Sequence, residues 1–241
     1  MWCFYVQMFF IKERIKPNFV RDIYQTIIDT GFAFDGGSAV EGKFDDEGKR
    51  IRRNITSLEE IYEYNQTRFE QRLRDGFPDD AWDVDTEYDH ELGYRHIYFK
   101  RDGFSSGLHG YWHDHNGHPA FSICIEEFDV EFKKAVPGKT YKETMYIKEK
   151  IEPLKNMALA LWEKGKVDVI QTTHDMDDPW YDIYDVARSE NIYYNPFALM
   201  FEKFYEKYPA GYFDRDFAKA KVTKIAHKGV YIEQTDRIVA K

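Results

Sequence analysis

The chain has 241 residues, and its 43 acidic residues against 34 lysines and arginines give a formal net charge of −9. A nonspecific nucleic-acid binder needs a basic surface to hold phosphates, so this charge argues against nucleic acid as the partner. Two cysteines are too few for a disulfide framework and no run of about 18 apolar residues is present, so we expect a cytoplasmic protein with no membrane contact.

The N-terminal part of the chain predicts a strand followed by a helix. Residues 2–11 form a continuous apolar run, which is typical of a strand buried on both faces in the middle of a sheet. Between Pro17 and Gly31, apolar residues recur at three- and four-residue spacing, which predicts a helix. Residues 31–56 are rich in glycine and charge and follow no sustained period, so we interpret them as a loop with at most short strands.

A second helix is predicted from Thr56 or Ser57 to Gly76, because Ser57 and Glu60 have the spacing of a capping box. The stretch 79–91 then contains seven acidic residues and no lysine or arginine. Such a run attracts a basic partner, or it is simply a solvated loop. Its candidate partner-binding residues are Asp79, Asp80, Asp83, Asp85, Glu87 and Asp89.

Residues 94–132 have the pattern of antiparallel strands. The predicted strands are 94–100, 107–115 and 118–132, and Asn116-Gly117 between alternating segments is a strong signal for a two-residue hairpin turn. The predicted pairs are His115 with His118, His113 with Ala120, Tyr111 with Ser122 and His109 with Cys124.

Side-chain alternation then separates an apolar face of this hairpin from a face rich in histidine and tyrosine. The predicted core face carries Leu108, Trp112, Phe121, Ile123 and Ile125, with Ile97 and Phe99 of the preceding strand. The other face carries His109, Tyr111, His113, His115 and His118, beside Tyr94, His96 and Tyr98.

The histidine-rich face has two interpretations. Cross-strand neighbours have Cβ atoms roughly 5 Å apart, so His113, His115 and His118 are candidates for a metal site. The spacing matches no standard zinc motif, and histidine is common at half-exposed positions. We therefore favour a binding surface, with Tyr111, His113 and His115 as partner-binding residues and no bound metal or cofactor.

The rest of the chain predicts two helices, one strand and a closing hairpin. The first helix is predicted at 153–165, and the second is predicted at 197–208, where Asn195-Pro196 marks its start. The strand is predicted at 167–172, and the hairpin is predicted from strands at 221–226 and 230–235.

The segment after strand 167–172 is acidic and aromatic. Paired carboxylates at a strand end can hold Mg²⁺ or Ca²⁺. Aspartate is also common in turns because its side chain bonds the local backbone, and Pro179 marks a turn here. We favour a turn or an interface, with Asp175, Asp177, Asp178, Trp180 and Tyr181 as candidate partner-binding residues.

Together these elements predict an α+β protein. Its sheet is mainly antiparallel, built from hairpins, with about four helices packed on it. No repeat or linker divides the sequence, so residues 1–241 are expected to form a single domain.

In the order of its predicted strands and helices, the chain resembles immunity proteins of bacterial polymorphic toxin systems. The resemblance is in particular to the α+β group that accompanies restriction-endonuclease-like toxins. The segments that carry the resemblance are FYVQMFFIKERIKPNFVRDIYQTIIDTG, SSGLHGYWHDHNGHPAFSICI, VDVIQTTHD and KVTKIAHKGVYIEQTD. Together they cover slightly less than a third of the chain. The resemblance implies binding of a cognate toxin and no catalytic residues.

The leading functional hypothesis is a stoichiometric binding protein, not an enzyme, whose partner is a basic toxin domain. Nucleases are basic because they hold phosphates, so an acidic surface with aromatic anchors suits a protein that blocks one. The alternatives are a metal-dependent hydrolase that uses His113, His115 and His118, and a phage protein that sequesters a host factor.

Overall fold

A ten-stranded antiparallel sheet organises the computed structural model. The residues that it describes are 3–11, 15, 18–44, 46, 50–76, 95–115, 118–174, 186, 191–214 and 220–240. Their strands are β1 (Cys3–Phe9), β2 (Ala33–Phe44), β3 (Arg50–Ile55), β4 (His96–Lys100), β5 (Leu108–His115), β6 (His118–Glu126), β7 (Glu131–Ala135), β8 (Lys142–Ile147), β9 (Val169–His174), β10 (Phe197–Phe201), β11 (Lys221–Ile225), β12 (Gly229–Glu233) and β13 (Ile238–Val239). Their α-helices are α1 (Phe19–Asp29), α2 (Leu58–Asp75), α3 (Glu127–Val130), α4 (Lys148–Glu163) and α5 (Glu202–Tyr205).

The strand order of the large sheet is β11-β12-β10-β9-β1-β6-β5-β4-β2-β3, and every neighbouring pair is antiparallel. A small sheet has the order β13-β8-β7. The predicted α+β class is confirmed, and so is the central position of the N-terminal strand, since β1 lies between β9 and β6.

Helices α1, α2 and α4 cover one face of the large sheet. Helix α1 presents Val20, Ile23 and Ile27 at three- and four-residue spacing, and all three are fully buried. At the start of α2 the Ser57 hydroxyl accepts a hydrogen bond from the Glu60 amide, as the capping-box spacing predicted. These apolar helix faces form the main core with the sheet.

A second apolar cluster lies on the opposite face, over strands β9, β10 and β12. There Val169, Met200 and Ile232 pack with aromatic residues that follow α5. The aromatic residues are Tyr208, Tyr212 and Phe213. This end of the sheet is therefore buried on both faces, which explains why its strands read as continuous apolar runs.

The interpretation of residues 31–56 as a loop is wrong, because β2 and β3 occupy most of this segment. Strand β3 forms the edge of the sheet, and its Arg52 and Arg53 are exposed. Charged residues are common on edge strands, so this strand lacks the alternation of apolar and polar residues that indicates a strand. Gly37 of β2 lies against the His96 carbonyl and the Ile61 side chain, where a Cβ atom has no room. Glycine is required here for close packing, and it does not mark a loop.

The predicted helix at 197–208 is also wrong. Residues Phe197–Phe201 form β10, and only the single turn of α5 follows them. Leu199 faces the helix-covered core and Met200 faces the opposite cluster, so every residue of the strand is apolar. A short apolar run of this kind does not distinguish a helix from a strand by period alone.

Three boundaries differ from the sequence predictions, while the closing hairpin is confirmed as β11 and β12. Helix α4 begins at Lys148, so Pro153 lies inside it. The strand predicted at 118–132 is divided by α3 into β6 and β7. The predicted strand 167–172 is present as β9, shifted to Val169–His174. Among the helices of the described residues, none is long and apolar enough to cross a membrane.

Candidate functional site

A row of rings crosses the sheet face opposite α1 and α2, and we call it the tyrosine–histidine face. Its members are His96, Tyr98, His109, Tyr111 and His113, all half-buried. The pairing of β5 with β6 positions these rings, and the four pairs predicted between the two strands are all present. The apolar residues predicted on the other face of the hairpin are fully or almost fully buried.

Ring contacts along this face are continuous. The centroids of Tyr98 and His109 are 5.2 Å apart, those of His109 and Tyr111 5.4 Å, and those of Tyr111 and His113 5.6 Å. His96 Nδ1 and His109 Nε2 share a hydrogen bond of 2.6 Å. The rings are held on strands and against one another, so little side-chain entropy remains to be lost on contact with a partner.

Tyr98 and His113 of this face form hydrogen bonds with serine hydroxyls of neighbouring strands. The Tyr98 hydroxyl and the Ser38 hydroxyl share a hydrogen bond of 2.8 Å, and His113 Nε2 lies 2.9 Å from the Ser122 hydroxyl. Both serines are buried. His113 is therefore engaged within the sheet as well as being a ring of the face.

Two imidazoles of the tyrosine–histidine face have pKa values well below the ordinary value. Burial lowers the pKa of His96 to about 3, with contributions from His109 and Arg52. Burial, together with Arg52, lowers the pKa of His109 to about 4. Both imidazoles are neutral near pH 7, where they act as hydrogen-bonding and stacking groups.

Only part of the predicted site falls on described residues. Tyr111 and His113 lie where they were predicted, and the backbone of His115 pairs with that of His118. The side chains of His115 and His118 lie outside what the structure describes, so a metal site on the hairpin stays a prediction. The acidic candidates Asp79, Asp80, Asp83, Asp85, Glu87 and Asp89 also lie outside the described residues, as do Asp175, Asp177, Asp178, Trp180 and Tyr181.

A second group of polar side chains joins the large sheet to the small one, and we call it the Glu127–Glu131–His174 cluster. Glu127 begins α3, Glu131 begins β7 and His174 ends β9. One potential ligand atom from each residue lies within 4.8 Å of the other two. The side chain of Glu131 is only 2 % exposed, which makes it one of the most deeply buried carboxylates that the structure describes.

The Glu127–Glu131–His174 cluster has a defined hydrogen-bond pattern. Lys133 Nζ donates to Glu131 Oε1 at 2.8 Å and to Thr144 Oγ1 at 2.9 Å. On the other side, Glu131 Oε2 lies 3.1 Å from His174 Nδ1, and no described residue donates a hydrogen bond to this oxygen. The Tyr146 hydroxyl and His174 Nε2 share a hydrogen bond of 3.0 Å.

Burial raises the pKa of Glu131 to about 8, and the adjacent Glu127 carboxylate contributes, while Lys133 opposes the shift. Two carboxylates at this distance cannot both carry a full charge in a dry site without a compensating proton or cation. Glu131 is therefore mostly protonated near pH 7, which leaves the Glu127 carboxylate beside Lys133 as the charged pair of the cluster.

Sequence reasoning missed this cluster, because its members are 43 to 47 positions apart from His174 along the chain. Pairing brings them together, since β1 lies beside both β6 and β9 and α3 follows β6 directly. The available signal was His174 itself, a histidine close to the end of a predicted strand and followed by acidic residues.

Comparison with protein-family models, with curated proteins and with solved structures finds no match to this chain.

Proposed function

We propose that the protein is a stoichiometric binding protein that acts in the cytoplasm and neutralises a basic bacterial toxin, as immunity proteins do. The observation that carries this proposal is the tyrosine–histidine face, with Tyr98, Tyr111 and the neighbouring imidazoles half-buried on adjacent strands. Tyrosine supplies a large contact area at low entropic cost, so a row of such rings suits a protein interface.

The charge of the chain supports a basic partner. The net charge is −9, and the acidic run 79–91 ends five residues before β4 begins at His96. A second acidic stretch, 175–185, follows directly after His174 of β9. Both stretches are therefore attached to the sheet that carries the tyrosine–histidine face. Negative charge on segments joined to this sheet steers a basic partner toward the protein.

The direct test is to co-express the chain with each protein encoded beside it and to measure growth and complex formation. A toxin should stop growth when it is expressed alone, and the chain should restore growth and form a 1:1 complex. Tyr111→Ala should weaken the complex by about 10- to 30-fold, the effect of removing an aromatic anchor. Tyr141→Ala is the matched control, since Tyr141 is 48 % exposed and lies before β8.

The contribution of charge is measured separately from that of the rings. Replacing Asp79, Asp80, Asp83 and Asp85 with Asn should slow association and reduce its dependence on salt, with a smaller change in the dissociation rate. A complex that is insensitive to Tyr111→Ala and to these charge changes would contradict the proposed interface. The absence of any toxic neighbour that the chain neutralises would contradict the immunity role itself.

The same experiments separate the remaining alternatives. A phage protein that sequesters a host factor should bind a host protein and give no rescue from a neighbouring toxin. A hydrolase that uses His113, His115 and His118 should hold stoichiometric metal, which is lost when these three residues are replaced.

A further inference from the structure

We propose that Glu127, Glu131 and His174 bind a divalent transition-metal ion, with Zn²⁺ as the best fit. This site lies between the large and small sheets and is separate from the tyrosine–histidine face and from the hairpin histidines. The inference does not depend on the immunity role, because it rests on the geometry of the cluster alone.

The spacing of the ligand atoms suits a tetrahedral ion. Two ligands that are each about 2.0–2.1 Å from tetrahedral Zn²⁺ lie about 3.3 Å from one another. His174 Nδ1 and Glu131 Oε2 are 3.1 Å apart, and the Glu127 carboxylate lies within 4.8 Å of both. Glu127, whose side chain is 24 % exposed, must turn toward the ion to complete the set.

Glu131 Oε2 provides an independent reason to expect a ligand. This atom is buried and accepts no hydrogen bond from the described residues, although the other oxygen of the same carboxylate accepts one from Lys133. A buried carboxylate oxygen without a donor is costly. An ion bound between Oε2 and the imidazole removes that cost.

The imidazole of His174 is held in place before any ion binds. Its ring stacks on Tyr146, with centroids 6.0 Å apart, and meets Phe4 edge-on at 5.6 Å. Nε2 and the Tyr146 hydroxyl share a hydrogen bond in which either atom can be the donor. When Nε2–H donates to that oxygen, the lone pair of Nδ1 points to the side of Glu131, the arrangement common for metal-bound histidine.

Ligand type selects the class of ion. Two carboxylates and one imidazole are donors for Zn²⁺ and neighbouring transition metals, whereas Mg²⁺ and Ca²⁺ prefer oxygen ligands alone. When both carboxylates act as ligands, a dication bound between them compensates their charge. Three protein ligands leave one tetrahedral position for a water molecule or a partner carboxylate.

The site is tested with the full chain, purified without a histidine tag, stripped with a chelator and titrated with Zn²⁺ in a calorimeter. We expect one saturable site per chain. Glu131→Gln and His174→Gln should each weaken Zn²⁺ binding by at least about 10-fold. The controls are Glu143→Gln on β8 and the exposed His227→Gln, which should leave the affinity unchanged.

If Glu131→Gln disturbs folding, a second variant and a spectroscopic measurement still test the site. Glu127→Gln changes a partly exposed side chain, so this variant should fold and still lose affinity. In long-range ¹⁵N spectra of the imidazoles, Zn²⁺ should shift Nδ1 of one histidine, and the signal of that histidine should be missing in His174→Gln.

The outcome that overturns the proposal is equally specific. Replacing His113, His115 and His118 together with Gln should leave this Zn²⁺ site intact, so loss of binding in that variant would place the ion on the hairpin instead. Failure to bind Zn²⁺ at micromolar concentration, equal binding of Mg²⁺, or unchanged affinity in folded Glu131→Gln would each show that the cluster is not a transition-metal site.

Discussion

At the scale of single residues, Asn65 shows how the core holds a polar side chain whose nitrogen and oxygen are both hydrogen-bonded. Asn65 is fully buried on the apolar stripe of α2. Its amide donates to the Tyr24 hydroxyl at 2.7 Å and to the Arg95 carbonyl at 2.9 Å, and its oxygen accepts from the Arg95 amide at 2.7 Å. Trp112 Nε1 donates to the same tyrosine hydroxyl at 2.8 Å. One buried asparagine therefore ties α2 to α1 and to the start of β4.

Asp129 is the second such residue, and its substitution should destabilise the protein. Its carboxylate accepts hydrogen bonds from the amides and hydroxyls of both Ser105 and Ser106, which fixes the loop before β5. Asp129→Asn presents an amide to these donors, so the free energy of unfolding should fall by about 1–3 kcal/mol in urea titrations at pH 7. Asp102→Asn, on an exposed turn, is the control and should change it by less than about 0.5 kcal/mol.

The same residue gives a pH dependence with a definite sign. Burial opposes ionisation of Asp129, but the hydrogen bonds from Ser105 and Ser106 outweigh it and hold the pKa below its usual value. Its contribution is therefore present above the unfolded pKa and is lost as the pH falls through the lower folded pKa. The difference in stability between wild type and Asp129→Asn should shrink below about pH 4. A constant difference down to pH 2 would contradict this account.

The imidazoles of His96 and His109 should make the protein less stable in mild acid. Their pKa values in the folded protein, about 3 and about 4, lie below the ordinary value near 6.5 because both rings are largely buried. The unfolded chain therefore binds more protons between these limits, and stability should fall as the pH drops from about 6.5 toward 4. Replacing both with Gln should reduce this slope by on the order of 1–2 kcal/mol over that range.

Equilibrium unfolding at several pH values measures the effect, with His227→Gln as the control because His227 is exposed. If the double variant keeps the full wild-type slope, the hydrogen-bonded pair is not the source of the acid sensitivity.

At the scale of elements, the sequence predicts well where local chemistry determines the structure. Asn116-Gly117 and strict alternation were sufficient for the register of β5 and β6 and for the composition of both faces. Alternation also placed His96 and Tyr98 of β4 beside the histidines of β5. Register in such a hairpin depends on neighbours close in sequence, so one chain is enough to infer it.

Prediction fails where distant segments determine the conformation. The sequence of β10 predicted a helix because all its residues are apolar, without the alternation of apolar and polar residues that indicates a strand. The strand is buried on both faces in a sheet where it pairs with β9 and β12, which are distant in sequence. The Glu127–Glu131–His174 cluster was missed for a similar reason, since only the pairing of β1 with β6 and β9 brings Glu131 to His174. The only local signal for the cluster is His174, which lies close to the end of a predicted strand.

Gly37 tests the claim that glycine in β2 is a packing requirement. Gly37→Ala places a methyl group against the His96 carbonyl and the Ile61 side chain, so β2 must shift away from α2. We expect a loss of about 1–3 kcal/mol in unfolding free energy. Gly107→Ala is the matched control, because a Cβ atom there meets the Phe99 carbonyl at an ordinary 3.7 Å. Equal stability of both variants would mean that β2 adapts freely.

At the scale of the whole molecule, the large sheet contributes side chains from its two faces to two separate apolar clusters. Along β1, Met8 faces the helix-covered core while the next residue, Phe9, packs in the opposite cluster. Strand β10 does the same with Leu199 and Met200. Neither cluster can lose its strands without exposing the other, which physically couples the two sides of the sheet.

This coupling makes the single domain predicted for residues 1–241 testable. Leu161→Ala in α4 creates a cavity in the helix-covered core, and Met200→Ala creates one in the opposite cluster, each at a cost of about 2–5 kcal/mol. If the sheet couples both clusters, each variant should shift one cooperative urea transition, and far-UV and near-UV circular dichroism should report the same midpoint. Two separated transitions, or a Met200→Ala effect seen by only one of the probes, would show that the clusters unfold independently.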